Sequence, residues 1–148
     1  MNKNARLQRI TSECVLCAIS YSQTKSAQYD DVEGTWVVIS DFPLPEGYNY
    51  ETTDILILLP PNYPLSPPDW FYVDHNLRLR NGKRLSHVFY DLTSHDPNRQ
   101  RMEPPQQKGW TGCCLHIRSW KPANDPLSGH SLLSVCELIK GALERWSR

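Results

Sequence analysis

Proline constrains this chain more than any other residue type. Twelve prolines stand among 148 residues, in clusters at 43–45, 60–68, 97–105 and 122–126. A proline inside a helix removes a backbone donor and clashes with the preceding turn, so the clusters mark loops or element ends. The densest, "PPNYPLSPP" at 60–68, fits neither a regular strand nor a helix. Regular structure must lie between the clusters.

Residues 3–14, "KNARLQRITSEC", predict a short helix with Leu7 and Ile10 on one face, and "CVLCAISYS" (14–22) has strand character. "GTWVVISDF" (34–42) is rich in β-branched and aromatic residues and reads as a strand. "DFPLPEGYNY" is a turn, and "ETTDILILL" (51–59) is the next strand. Their short connection makes the pair antiparallel. "DWFYVD" (69–74) continues the meander. Residues 75–112 are polar and weakly patterned, a long loop of the kind that usually serves a function. The adjacent Cys113 and Cys114 are expected in this irregular part. Beyond Asp125-Pro126, "LSGHSLLSVCELIKGALERW" sets Leu132, Leu133, Cys136, Ile139, Leu143 and Trp146 at helical spacing, with the helix beginning near Pro126. Gly141 weakens it slightly. The expectation is one α+β domain over residues 1–148: an N-terminal helix, three or four antiparallel strands and a long helix across the sheet.

Sixteen Lys and Arg balance 16 Asp and Glu, which argues against a nucleic-acid partner. Arg78, Arg80, Lys83, Arg84, Arg99 and Arg101 cluster, either as a solvated loop or as a docking surface for an acidic partner. The longest apolar runs, "ILILLPP" and "TWVVI", fall far short of the roughly 20 residues that cross a bilayer. A cytoplasmic protein with its five cysteines reduced is expected. Cys14-x-x-Cys17 has the spacing of half a zinc site but no second pair to complete it. A disulfide between Cys113 and Cys114 is hard to close across one peptide bond. They are buried packing residues, metal ligands, or a nucleophile beside its neighbour.

With Pro60-Pro61-x-Tyr63-Pro64-x-x-Pro67-Pro68 after a strand, then Gly112, Cys114-Leu115 and Trp120-x-Pro122-Ala123 ahead of a long helix, the chain resembles the ubiquitin-conjugating enzymes. In that family a strand ends in a Pro-Pro-x-Tyr-Pro-x-x-Pro-Pro turn, matched here by Pro60, Pro61, Tyr63, Pro64, Pro67 and Pro68. A glycine, a catalytic Cys-Leu, a Trp-Ser-Pro-Ala and a crossover helix follow in the family. Here stand Gly112, Cys114-Leu115 and Trp120-Lys121-Pro122-Ala123, then "LSGHSLLSVCELI". The family's His-Pro-Asn before the cysteine has no counterpart. The nearest stretches are "DHN" (74–76) and "HDPN" (95–98), so Asn76 or Asn98 are the candidates for its oxyanion hydrogen bond. The chain stops after the crossover helix, without the family's last two helices. In this it is most similar to bacterial ubiquitin-conjugating-like proteins encoded beside activating enzymes and deubiquitinase-like peptidases. Some of them share Trp-x-x-His…Trp-x-Pro-x-x-Asp-x-Leu-x-x-His, which maps onto Cys113, His116, Trp120, Pro122, Asp125, Leu127 and His130.

The resemblance implies an α+β UBC-like fold and a thioester carrier that passes a ubiquitin-like protein to an amine. Its partners would be that modifier, an adenylating activating enzyme and a deubiquitinase-like peptidase of the same operon, with antiviral defence as the setting. It implies no metal or cofactor, nucleic acid or membrane. Cys114 takes the nucleophile's place, because sulfur attacks well and its thioester stays reactive; Cys113 is the less favoured choice. His116 is a base, an oxyanion donor or a packing residue. On an extended backbone it shares a face with Cys114. Asp125 either orients and deprotonates the amine or caps the following helix; His130 is a weaker candidate on that helix's first turn. Cys14, Cys17 and Cys136 read as core, Tyr63 as a brace of the proline-rich turn. The alternative function is a module of the same fold that binds a ubiquitin-like protein or an activating enzyme without transfer.

Overall fold

Apolar residues recur at Ile10, Cys14, Cys17 and Ala18, all buried, and this three-and-four spacing carries one helix, α1, through Lys3–Tyr21. The strand expected over 14–22 does not form, because the second half of the helix continues the apolar stripe begun by Ile10. Asn2 caps α1, its side chain accepting from the Ala5 amide at 2.8 Å. A computed structural model describes residues 1–86, 88–89 and 109–148 of the chain.

Among the described residues six strands follow: β1 (Ala27–Tyr29), β2 (Trp36–Pro43), β3 (Thr52–Leu58), β4 (Trp70–Asp74), β5 (Val88–Phe89) and β6 (Trp110–Cys114). They form one sheet in the order β1-β2-β3-β4-β6-β5, every neighbouring pair antiparallel. The three strands expected from sequence are β2, β3 and β4. Cys113 and Cys114 do not lie in an irregular stretch: they end β6, where Phe71 pairs with Cys113 and Trp70 with Cys114. Residues 75–86 are also more ordered than their polarity suggests. Leu77 and Leu85 are buried, and Asn49 ties to Arg78 through bonds of 2.9 and 2.8 Å.

The last helix, α2, spans Leu132–Trp146. It starts later than Pro126, because Ser131 supplies the cap: its side chain accepts from the Leu133 amide at 3.2 Å while Ser134 Oγ accepts from the Ser131 amide at 3.0 Å. Both helices cover one face of the sheet. There Val37, Ile39, Ile55, Ile57, Phe71, Val73 and Cys113 meet Ile10, Cys14 and Cys17 from α1 and Val135, Cys136, Ile139 and Leu143 from α2. The opposite face carries a smaller cluster of Leu56, Leu58, Trp70 and Tyr72, flanked by Trp36, Val38, Trp110 and Cys114. Among the described residues no helix is long and apolar enough to cross a membrane.

Candidate functional site

Successive side chains of a strand point to opposite faces. On β6 this separates the two cysteines. Cys113 turns to the helices and is wholly buried, and desolvation drives its thiol well above the usual range, with Cys114 adding to the effect. Cys114 is half-buried and lines a cavity of about 680 Å³ together with Phe71, Ser86, Leu115, His116 and α2 residues. The ladder runs one residue past it, where the Leu115 amide donates to Asp69 O at 2.7 Å. Beyond Leu115 the backbone leaves the sheet, and exposed His116 stands on the rim of the same cavity as Cys114.

The segment after Cys114 is fastened by the motif residues downstream. Trp120 Nε1 donates to Pro64 O at 2.7 Å, tying the segment to the proline-rich turn. The Trp120 ring lies 6.2 Å from that of Tyr63 and stacks on His130 at 5.5 Å. His130 Nδ1 accepts from the Lys121 amide at 2.8 Å, and its own amide donates to Lys121 O at 3.0 Å. Gly129 lies so close to this closure that a Cβ would sit 2.7 Å from both Ala123 N and Lys121 O. His130 is therefore a clasp of the 121–130 loop, ahead of α2 and not on its first turn.

Asp125 is not joined to the cavity. Its carboxylate accepts from the Leu127 amide at 2.9 Å and the Ser128 hydroxyl at 3.2 Å, an exposed turn within the same loop. Ser131, not Asp125, caps α2, so the helix-cap expectation for Asp125 does not hold. Asn76 lies at the wrong end of its strand. Asp74 pairs with Trp110 while Trp70 pairs with Cys114, which sets Asn76 beyond the far end of β4, more than about 13 Å from Cys114 at strand rise. Asn98 and the "HDPN" stretch lie outside the described residues, as do Arg99 and Arg101. Of the remaining basic run, Arg78 Nη1 donates to His75 O and Leu77 O at 2.8 Å, while Arg80, Lys83 and Arg84 are exposed. Cys17 Sγ contacts Cys136 Sγ at 3.7 Å, and among the described residues no group of three or more His, Cys, Asp or Glu is arranged to hold a metal.

Outside the cavity, at the start of α2, lies a buried ionic group that apolar periodicity alone does not single out. Glu13, fully buried on α1, accepts from Tyr63 Oη at 2.6 Å and from the Leu132 amide at 2.8 Å through Oε1, and from Arg9 Nε at 3.2 Å through Oε2. Arg9 Nη1 reaches Ala123 O. One carboxylate thus joins α1, the proline-rich turn and the first amide of α2, a donor the helix itself leaves unpaired. Arg6 completes the seam, donating to Tyr63 O at 2.9 Å and Gly34 O at 2.9 Å. The signal was present in the spacing: Arg6, Arg9 and Glu13 share the helix face that holds Ile10 and Cys17.

A family model described as Prokaryotic E2 family E matches residues 19–146. No curated protein and no solved structure matches the chain.

Proposed function

The chain belongs to prokaryotic E2 family E, and from that premise we propose that it carries a ubiquitin-like protein as a thioester on Cys114 and passes it to an amine. The observation that supports this reading is the position of Cys114: half-buried, at the end of β6, on the wall of a cavity of about 680 Å³. Cys113 is the poorer nucleophile, since its buried thiol resists ionisation.

In the first step the Cys114 thiolate attacks the carbonyl of the modifier's thioester on an adenylating activating enzyme. The new S–C bond replaces the old one, and the activating enzyme's thiolate leaves. In the second, an acceptor amine attacks the Cys114 thioester, forms an amide and expels the Cys114 thiolate. His116 is our candidate to take the thiol or amine proton, because it shares the cavity rim with Cys114. Asp125 and His130 serve by holding the 121–130 loop. The protein works in the cytoplasm as one domain with no cofactor of its own, beside a deubiquitinase-like peptidase and in antiviral defence.

The test is incubation with the activating enzyme and modifier encoded alongside, plus ATP. The expected product is a reducible adduct that is lost in Cys114→Ser and retained in Cys113→Ser. An adduct lost only in Cys113→Ser would overturn the assignment. A second reading is a binding module without transfer, favoured by the lack of a His-Pro-Asn tripeptide and the distant Asn76. Stable association with the modifier and no adduct in any pairing would establish that reading instead.

A further inference from the structure

We infer that the cleft beside Cys114 selects a protein tail that is acidic, not basic, in the residues before its C-terminus. The inference takes its occupant from the thioester reading above. The cavity of about 680 Å³ falls within the roughly 300–1,000 Å³ usual for ligand sites. Its walls are Phe71 and Cys114 on the sheet side and Leu138, Ala142, Arg145 and Trp146 on α2, with Arg148 just beyond. Wholly buried Phe71 and half-buried Trp146 stack at 6.1 Å with an 8° interplanar angle, which fixes the Trp146 ring at the base of the cleft.

The charge on this cleft has one sign. Arg145 and Arg148, both exposed, face it together with His116, and no Asp or Glu side chain is among its described lining residues. Two acids of the same helix lie outside the lining: Glu137 is turned to α1, where it accepts from Tyr21 Oη at 2.5 Å, and exposed Glu144 precedes Arg145. A tail that enters along α2 to bring its last carbonyl to Cys114 advances about 3.3 Å per residue when extended, so the residues just before its end pass along the arginine-bearing wall. Glutamate or aspartate there meets guanidinium groups that bind carboxylates well; lysine or arginine there meets like charge. Exposed Leu138 and half-buried Trp146 offer apolar surface to the intervening side chains.

Two ten-residue peptides with free C-terminal carboxylates test this. They are identical except for glutamates or lysines at the three positions before the last two residues. Binding to the full chain is read by fluorescence anisotropy at low and high salt. The glutamate peptide should bind roughly five- to tenfold more tightly at low salt, in keeping with two partly screened ion pairs. The difference should shrink in high salt and reverse in Arg145→Glu/Arg148→Glu, whose fold is checked by circular dichroism. Equal binding of the two peptides overturns the inference. So does a glutamate preference that survives the double substitution. A parallel arm uses the same peptides as small-molecule thioesters, from which the Cys114 thiolate takes the acyl group and expels the small thiol. Preferential binding of the glutamate peptide without Cys114-dependent loading supports the inference on charge and overturns the transfer reading. Loading of both peptides at equal rates with equal binding does the reverse.

Discussion

Cys113 packs without solvent exposure against the helix-covered face of the sheet, so the atom at its γ position is chosen by its medium. Cys113→Ser puts a hydroxyl where a weakly polar sulfur now sits, and should lower unfolding free energy by about 1–3 kcal/mol in urea titration. The same change at Cys114, which borders the cavity, should cost clearly less; equal losses would contradict the alternation of faces along β6. The sequence pattern singles out this cysteine pair but not the separation of its members. A strand of Trp110-Thr111-Gly112-Cys113-Cys114 has a glycine at its centre and no clean alternation, so nothing marks it as part of a sheet. Only pairing with β4 makes it one.

At the scale of elements, β2, β3, β4 and the body of α2 are legible because burial imposes its period on each. The second half of α1 is not. Its cysteines and β-branched residues favour a strand locally, yet helix–sheet packing of Ile10, Cys14 and Cys17 outweighs propensities of a few tenths of a kcal/mol per residue. The loop ahead of α2 misleads in the other direction: Asp125-Pro126 has the composition of a helix start, but its side chain closes a turn on Leu127 and Ser128. The anchor between this loop and the proline-rich turn is a single indole bond. Trp120→Phe keeps the ring against Tyr63 and His130 and removes only the donor to Pro64 O. It should lower stability by about 0.5–1.5 kcal/mol and speed hydrogen exchange at residues 115–121 more than in α1. Uniform acceleration throughout the chain would show that the bond does not act locally.

Across the whole molecule, the carboxyl of Glu13 joins the parts that sequence order keeps apart. Burial raises its pKa, while the hydrogen bonds from Tyr63 and Leu132 and the charge of Arg9 pull the other way. The folded chain therefore holds this proton more tightly than the unfolded chain does. Stability falls as pH rises from the ordinary glutamate range through the raised value, then levels off. Relative to Glu13→Gln, which cannot titrate, the wild type should gain stability as pH is lowered from 7 toward 4, measured as paired urea midpoints. A pH-independent difference would contradict the shift. The spacing sets Arg9 and Glu13 on the core-facing side of α1, but it does not show their partner Tyr63, whose hydroxyl comes from 50 positions beyond Glu13. The layout of this seam also bears on how the protein is handled. The matched family segment opens at residue 19, near the end of a helix that runs Lys3–Tyr21. A recombinant fragment cut at that boundary would leave the Tyr63 phenol and the leading amide of α2 facing an empty trough lined by aliphatic side chains, and it would be expected to precipitate, however well its remaining residues fit the family.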